Sequence, residues 1–438
     1  MLILLIFFAG CDEAVLPDLP EMEESMDVDA FEIGDNDATD GSDSESDGEN
    51  TENDSANQEA PDSETPDETT DGTPGDVVPE PEIAASHLIV ATVGGYNVPM
   101  SGHVYFAADE NLEKFKAIPV VGGMGSSDGA DLNLAVFDPG FAVIGRDKSS
   151  SLYFFDGNFD FEQEIKIKPD VYINMQDMVF NPFKDEFVVS ALNSDTYDAH
   201  KKYSNRIFIL KKGKEPEISE IEISDNESAT PAKMRVIGKK LFIALQNLND
   251  QALSDKGEIA VVDLEDYSVK RVELPSKNPT GKIEYNSKVD KNHVYLVATG
   301  NWQKRDGALL QMDIETYKVK KVLSESAEEN NLLDGDFVDL SIADNGEFFI
   351  VFSNNSSKWE NNLLKYNPKE GKVTRIDSAI NAFAANPIDY STLTGKIYYF
   401  VDEQEDTYLK SLDTKTGKTE TVLLDFGPAA LRVKYDYK

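Results

Sequence analysis

Few residues in this chain can do soft-ligand or proton-transfer chemistry. Among 438 residues there is one cysteine, Cys11, and there are four histidines, His87, His103, His200 and His293. A single thiol excludes an internal disulfide framework and any multi-cysteine zinc or iron–sulfur site. Oxygen ligands are plentiful instead. Asp177, Glu284, Asp339 and Asp389, with Asn133 and Lys233, stand near the starts of short apolar runs that recur along the chain. Carboxylates gathered at one channel mouth are hard ligands that suit a cation such as calcium. The competing use for the same residues is as polar walls of a water-filled channel.

A second set of residues suits recognition. Tyr96, Asn97, Tyr197, Asn249, Trp302 and Trp359 fall in the longer segments between apolar runs, as do Asn247, Asn301 and Asn354. A flat ring stacks while an amide donates and accepts hydrogen bonds, a pairing that suits a glycan or a peptide. The structural alternative is that these side chains pin long loops to the scaffold. Signals for catalysis are thin. No G-x-S-x-G elbow is present, and GGMGSSDG (122–129) lacks the Gly-Lys-Ser/Thr ending of a phosphate loop. His87 and His103 are expected to be packing or edge residues.

The charge is unevenly spread. The chain carries 82 Asp and Glu against 41 Lys and Arg, a net −41. Residues 12–85 hold 27 of those acids and no base, which leaves a mildly acidic body of about −14. Such a balance excludes nucleic acid as a partner, since phosphates need basic patches, and disfavours electrostatic adsorption to anionic lipid. The acidic segment is almost devoid of apolar periodicity. It cannot bury enough surface to offset its ordering entropy, so it reads as a disordered linker. A flexible coil of this length spans about 50 Å, and like-charge repulsion extends it further. Within it, DNDATDGSDSESDG (35–48) is rich in oxygen ligands, but its spacing is irregular and no structured element flanks it, unlike a calcium loop.

The elements that would position the candidate residues form a repeat. HLIVATV (from 87), FAVIGR (141), EFVVSAL (186), KLFIALQ (240), HVYLVATG (293), FFIVFSN (348) and KIYYFVD (396) recur about every fifty residues. Each is followed by two further strand-like runs, and all but the first are preceded by one. That makes four strands per unit and seven units. The leading strand missing from the first unit is supplied by ALRVKYDY (430–437), which closes the ring and removes exposed sheet edges. Asp156, Asp263, Asp313, Asn367 and Asp413 end the second run of their units, where the side chain accepts a backbone N–H two residues on. The third unit has Lys211 there. The expected fold is therefore all-β: a seven-bladed β-propeller closed by the C-terminal strand, preceded by the disordered acidic linker.

Two resemblances add to this reading. Leu2 to Phe8 is a short apolar run followed by Ala9-Gly10-Cys11. This resembles the lipobox of bacterial lipoproteins, in which the thiol at the position of Cys11 carries a diacylglycerol and the chain is cut just before it. No Lys or Arg precedes the run, although a signal peptide normally begins with positive charge, so the true start is expected upstream. No apolar run reaches about 18 residues, so no transmembrane helix is expected. Stretches such as VVDLEDYSVKRVELP and QMDIETYKVKKVLSE resemble the YVTN-type repeat of seven-bladed propellers, a group that includes surface-layer, secreted and lactonase-like proteins. The expected organisation is a lipoprotein signal peptide over 1–10, a lipidated Cys11 with an acidic stalk over 11–85, and a propeller over 86–438. The expected role is that of a monomeric binding module in the bacterial cell envelope, held by lipid in the outer membrane. It would meet an envelope protein or a glycan, and calcium is the one cofactor its acids suggest. The alternative is a lactonase-like or other hydrolytic propeller with a cation at the channel mouth.

Overall fold

The apolar runs pair as antiparallel strands. In the computed structural model the described residues are 82–94, 98–119, 123–125, 131–146, 149–168, 173–192, 204–249, 253–326, 331–354, 361–403 and 406–438. Strands β1 to β28, in chain order, make seven four-stranded sheets, and helix is confined to single turns such as 108–110 and 112–114. The innermost strands are β4 (Leu132–Val136), β8 (Met175–Asn181), β12 (Pro231–Ile237), β16 (Pro279–Glu284), β20 (Gly335–Ile342), β24 (Ile388–Ser391) and β28 (Gly427–Tyr437). Each packs beside the next, and β28 returns to β4, so the sheets stand as blades around one axis. The chain is a seven-bladed β-propeller.

Burial follows from this geometry. The second and third strands of a blade are covered on both faces by neighbouring blades. In β5 (Phe141–Gly145) and β6 (Ser151–Phe155) every residue is buried. The outer strand β7 (Phe161–Lys166) has one face in water, and its pattern is mostly exposed. Hydrophobic clusters accordingly lie between blades. One joins Ile144, Leu152 and Phe154 to Met175, Phe187 and Phe208 of the next blade.

Closure is as expected from the sequence. β28 pairs antiparallel with β1 (Ile83–Val93), with Leu88 opposite Val433 and Val90 opposite Leu431. β1 starts three residues before Ser86, because the long β28 gives Ile83 a partner in Tyr437. The same first blade is completed by β2 (Gly102–Ala107) and β3 (Lys116–Ile118). The turn residues also behave as expected. Asp156 Oδ1 accepts from Asn158 N at 2.8 Å, and Asp263, Asp313, Asn367 and Asp413 make the equivalent bond at 2.7–3.0 Å.

Connections leaving the second strand of a blade and those joining blades share one face, which is the face of the long loops. The opposite face carries short turns with two exceptions, residues 108–115 and 285–292. Both exceptions hold polar clusters, buried at Glu110 and half-buried at Asp290, that nothing local in the sequence announced.

Candidate functional site: the central channel and the long-loop face

The four candidate acids lie at different depths. Asp177 and Asp389 are near the starts of β8 and β24, Asp339 is midway along β20, and Glu284 ends β16. The expectation that all sit at strand starts fails for Glu284 because β16 begins at Pro279, earlier than the KIEYNS run suggested. Its first residues pair with β17 (His293–Ala298) through a register shift between Pro279 and Ile283.

Three of these acids join neighbouring inner strands. Asp177 Oδ2 accepts Met234 N at 2.8 Å, Asp339 Oδ1 accepts Lys282 N at 2.8 Å, and Asp389 Oδ2 accepts Val433 N at 2.9 Å. The ladders of β8, β12, β16 and β20 all carry register shifts beside these contacts. A bulge takes a backbone N–H out of the ladder, and a buried donor needs an acceptor. The carboxylates supply it.

The positive charge among the acids is a side chain. Lys282, with 4% of its side chain exposed, places Nζ 3.5 Å from Glu284 Oε1, 3.5 Å from Asp389 Oδ1 and 3.9 Å from Asp339 Oδ2. Its ammonium also donates to the Ile388 carbonyl. Burial pushes the Glu284 carboxyl up, against the pull of Lys282. Asp177 stands apart from this group, among the backbone N–H donors of Met178 and Met234. Among the described residues, no set of three or more His, Cys, Asp and Glu side chains is arranged to hold a metal ion.

Nearer the long-loop side the channel is crossed. Lys233 Nζ donates to the Ala385 carbonyl at 2.7 Å and to Asn386 Oδ1 at 3.0 Å, reaching from the fourth blade to the seventh. Asn386 Nδ2 donates to Asn133 Oδ1, and Asn133 Nδ2 to the Gln176 carbonyl at 2.5 Å. Burial brings the Lys233 amine down to about 7; Asp177 opposes this, while Arg432 and Arg146 reinforce it.

Of the long-loop residues expected to bind, Tyr96, Asn97, Tyr197 and Trp359 lie outside the described residues, as does Cys11. Asn249 is folded into its own loop: Oδ1 accepts Leu253 N at 3.1 Å. Asn301 ties two blades together, with Oδ1 accepting Ser254 N at 2.9 Å and Nδ2 donating to Ser254 O at 3.1 Å. These amides are engaged in holding loops. Trp302 is half-buried in the connection 299–307, between β17 and β18 (Ala308–Asp313). Exposed apolar side chains accompany it on the same set of connections: Val98, Met100, Leu332 and Phe383.

The Trp302 connection rests on acids that the sequence reading did not single out. Gln303 N donates to Asp336 Oδ1 at 2.9 Å and Gly307 N to Glu325 Oε2 at 2.8 Å. Arg305 Nε reaches Asp334 Oδ1 at 2.7 Å. Burial holds Glu325 up at about 8 and Asp336 at about 7; their backbone donors oppose it, while Asp306 reinforces it for both.

The short-turn face holds two more polar clusters. Glu110, 2% exposed, accepts from Ser86 and Ser391, from Thr394 Oγ1 at 2.7 Å and from Tyr398 OH at 2.5 Å. His293 Nδ1 bonds Asp290 Oδ2 at 2.9 Å, and Tyr295 OH donates to the same oxygen at 2.8 Å. Burial alone would raise Asp290, but hydrogen bonds from His293, Tyr295 and Asn292 N outweigh it. His87 and His103 are packing and edge residues. His87 pairs with Asp436 at 2.9 Å and meets the Phe159 ring edge-on, while His103 stacks on Phe426 at 4.4 Å.

No family model matches the chain, and no curated protein matches it in sequence. Solved structures match its fold. A candidate 6-phosphogluconolactonase from Bacteroides fragilis superposes with a TM-score of 0.52 at 11% identity, over 80% of this chain and 97% of that one. A second, from Bacteroides uniformis, gives 0.52 at 10% identity over 80% and 99%. These likenesses concern the seven-bladed scaffold.

Proposed function

We infer that the chain is a binding module: a propeller that meets a ligand or protein through its long-loop face, anchored in the bacterial envelope by lipid on Cys11. The observation that carries this reading is the Trp302 loop. It carries a half-buried aromatic ring on the face whose other connections expose Val98, Met100, Leu332 and Phe383, and it is braced from beneath by carboxylates of two other segments. Large side chains on rigid loops are the usual source of binding energy. The binding reading is supported over hydrolysis by the state of the channel, where three of the four acids expected to hold a cation surround Lys282. The partner suited to this face is an envelope protein or a glycan.

Capture from an envelope extract by the full-length chain tests it. The species retained should be lost with Trp302→Ala and kept with Leu393→Ala, an exposed residue of the opposite face. Equal capture by both variants would sink the choice of face.

A further inference from the structure

The Trp302 loop hangs on carboxylates it does not own. Besides the bonds from Gln303 N and Gly307 N, it is closed internally by Asn301 N donating to Asp306 Oδ1 at 2.7 Å. Gln303 and Arg305 have φ of 62° and 56°. Non-glycine residues persist in that region only where the surroundings over-determine them. The surroundings here are Asp336 and Glu325.

Asp336 is 1% exposed, and its second oxygen, Oδ2, is buried without a hydrogen-bond partner. Opposite it in register stands Ser353, on β21 (Phe348–Asn354), whose buried hydroxyl also lacks a partner. The charged groups facing this pocket are Asp306 and Arg305 of the loop, Asp334 just ahead of β20, and Glu325 just after β19 (Val319–Ser324). Among the described residues the base that faces it is Arg305, which is engaged by Asp334. A buried carboxylate whose one nearby base among the described residues is shared with Asp334, and which has a spare oxygen, is costly, whereas the neutral acid supplies an O–H at that oxygen. The raised Asp336 carboxyl agrees with this geometry, whereas Glu325 accepts a backbone N–H at each oxygen, from Gly307 N at 2.8 Å and Phe337 N at 3.2 Å, and acts on Asp336 as a neighbouring acid.

We propose that Asp336 is a proton-operated latch set by its neighbour Glu325: a proton retained on Asp336 seats the Trp302 loop, and its loss beside Glu325 releases it. With both groups ionised, two negative charges stand beside Asp306 and Asp334, and hydrating Asp336 requires the loop to lift. The latch rests on the reading of this face as the binding face, and it makes partner recognition depend on pH.

The test uses the full-length chain carrying Trp359→Phe, so that Trp302 is the only indole. Emission and acrylamide quenching are followed from about pH 5 to about pH 9, across the range of both carboxyls. The expected result is a red shift and stronger quenching on the alkaline side, with a midpoint between about 7 and about 8. Asp336→Asn with Glu325→Gln should abolish the transition and keep the low-pH signal, with far-UV circular dichroism reporting on folding. Should that double variant fail to fold, Glu325→Gln alone should lower the midpoint, because it removes a like charge beside Asp336. A flat profile in the parent, a transition unchanged in the double variant, or a midpoint unmoved by Glu325→Gln overturns the proposal. No ligand is added, so failure here leaves the binding reading standing. Equal capture by Trp302→Ala would remove that reading without touching the latch.

Discussion

Glu110 offers the sharpest test of how the ring is closed. It lies in the 108–115 connection of the first blade, and its carboxylate accepts from one hydroxyl of that blade, Ser86, and three of the last, Ser391, Thr394 and Tyr398. All four donors are neutral, so the bonds are charge-assisted on one side only. Such bonds contribute about 1.5–3 kcal/mol each, less the cost of burying the charge, and they are not additive. Removing the acceptor strands buried hydroxyl donors, and each one left unsatisfied costs about 1–3 kcal/mol. We therefore expect Glu110→Ala to destabilise by about 4 kcal/mol and Glu110→Gln, which keeps volume and one acceptor, by about 2 kcal/mol. An unfolding entropy of about 2.1 cal/mol/K per residue over a body of about 350 residues converts these to falls in Tm of about 5 °C and about 3 °C. Calorimetry on the full chain reads this, with Glu113→Ala as the control, since Glu113 is exposed on the same connection. Hydrogen exchange should show β1 and β28 opening first in Glu110→Ala. A Tm for Glu110→Ala within about 1 °C of the control would refute the latch across the seam.

Four further outcomes are expected. Lys282→Met should destabilise by about 3–5 kcal/mol, because it strands three acids, and adding Asp389→Asn should recover part of the loss in a double-mutant cycle. In the parent, excess calcium should leave Tm unchanged; a rise that Asp339→Ala abolishes would reinstate a cation site. Cys11→Ala should abolish incorporation of a labelled fatty acid and release the protein from membranes, whereas an unmodified Cys11 behind an intact Met1, seen by mass spectrometry, would refute the anchor. Finally, Asp336 and Glu325 have folded pKa values of about 7 and about 8, above those of unfolded carboxyls near 4. The folded state binds more protons, so their stabilisation is complete below about pH 4 and is lost as pH rises through about 8. Melting temperature should fall from pH 6 to pH 9, and Asp336→Asn should flatten that slope.

The parts of the fold that were legible in the sequence are those with local causes. Strand alternation has period two, and the Asp156-type turn bond spans two residues, so both can be read from a short window. Closure by 430–437 was legible because an unpaired first blade demands a fourth strand. Contacts across long separations were not legible. Glu110 meets Ser391, Thr394 and Tyr398 only once the ring is closed, and Asp336 meets Gln303 only because two loops converge on one face. The acids of the inner strands were found by type, with Asp177 and Asp389 near their strand starts as expected, but Asp339 lies midway and Glu284 at the far end. A bulge near Pro279 moves Glu284 to the far end of its strand, and no periodicity records a bulge.

The inner-strand acids also explain why this channel carries charge at all. A propeller's inner strands converge on its axis, and register shifts at Asp177, Met234, Ile283 and Asp339 take up the crowding. Each shift leaves backbone donors that the neighbouring strand cannot satisfy through the ladder. An apolar side chain at Asp339 would strand Lys282 N, and one at Asp177 would strand Met234 N. Carboxylates solve that problem but bring negative charge into a buried space, which Lys282, Arg235 and Arg432 offset around Glu284. The resulting network reaches across the axis, from Lys233 to Asn386 and from Lys282 to Asp389. It fixes the blades relative to one another, so the loops above start from a rigid base. A switchable Trp302 loop needs such a base: its movement is then set by Asp336 and Glu325 and not by slippage of the blades beneath it.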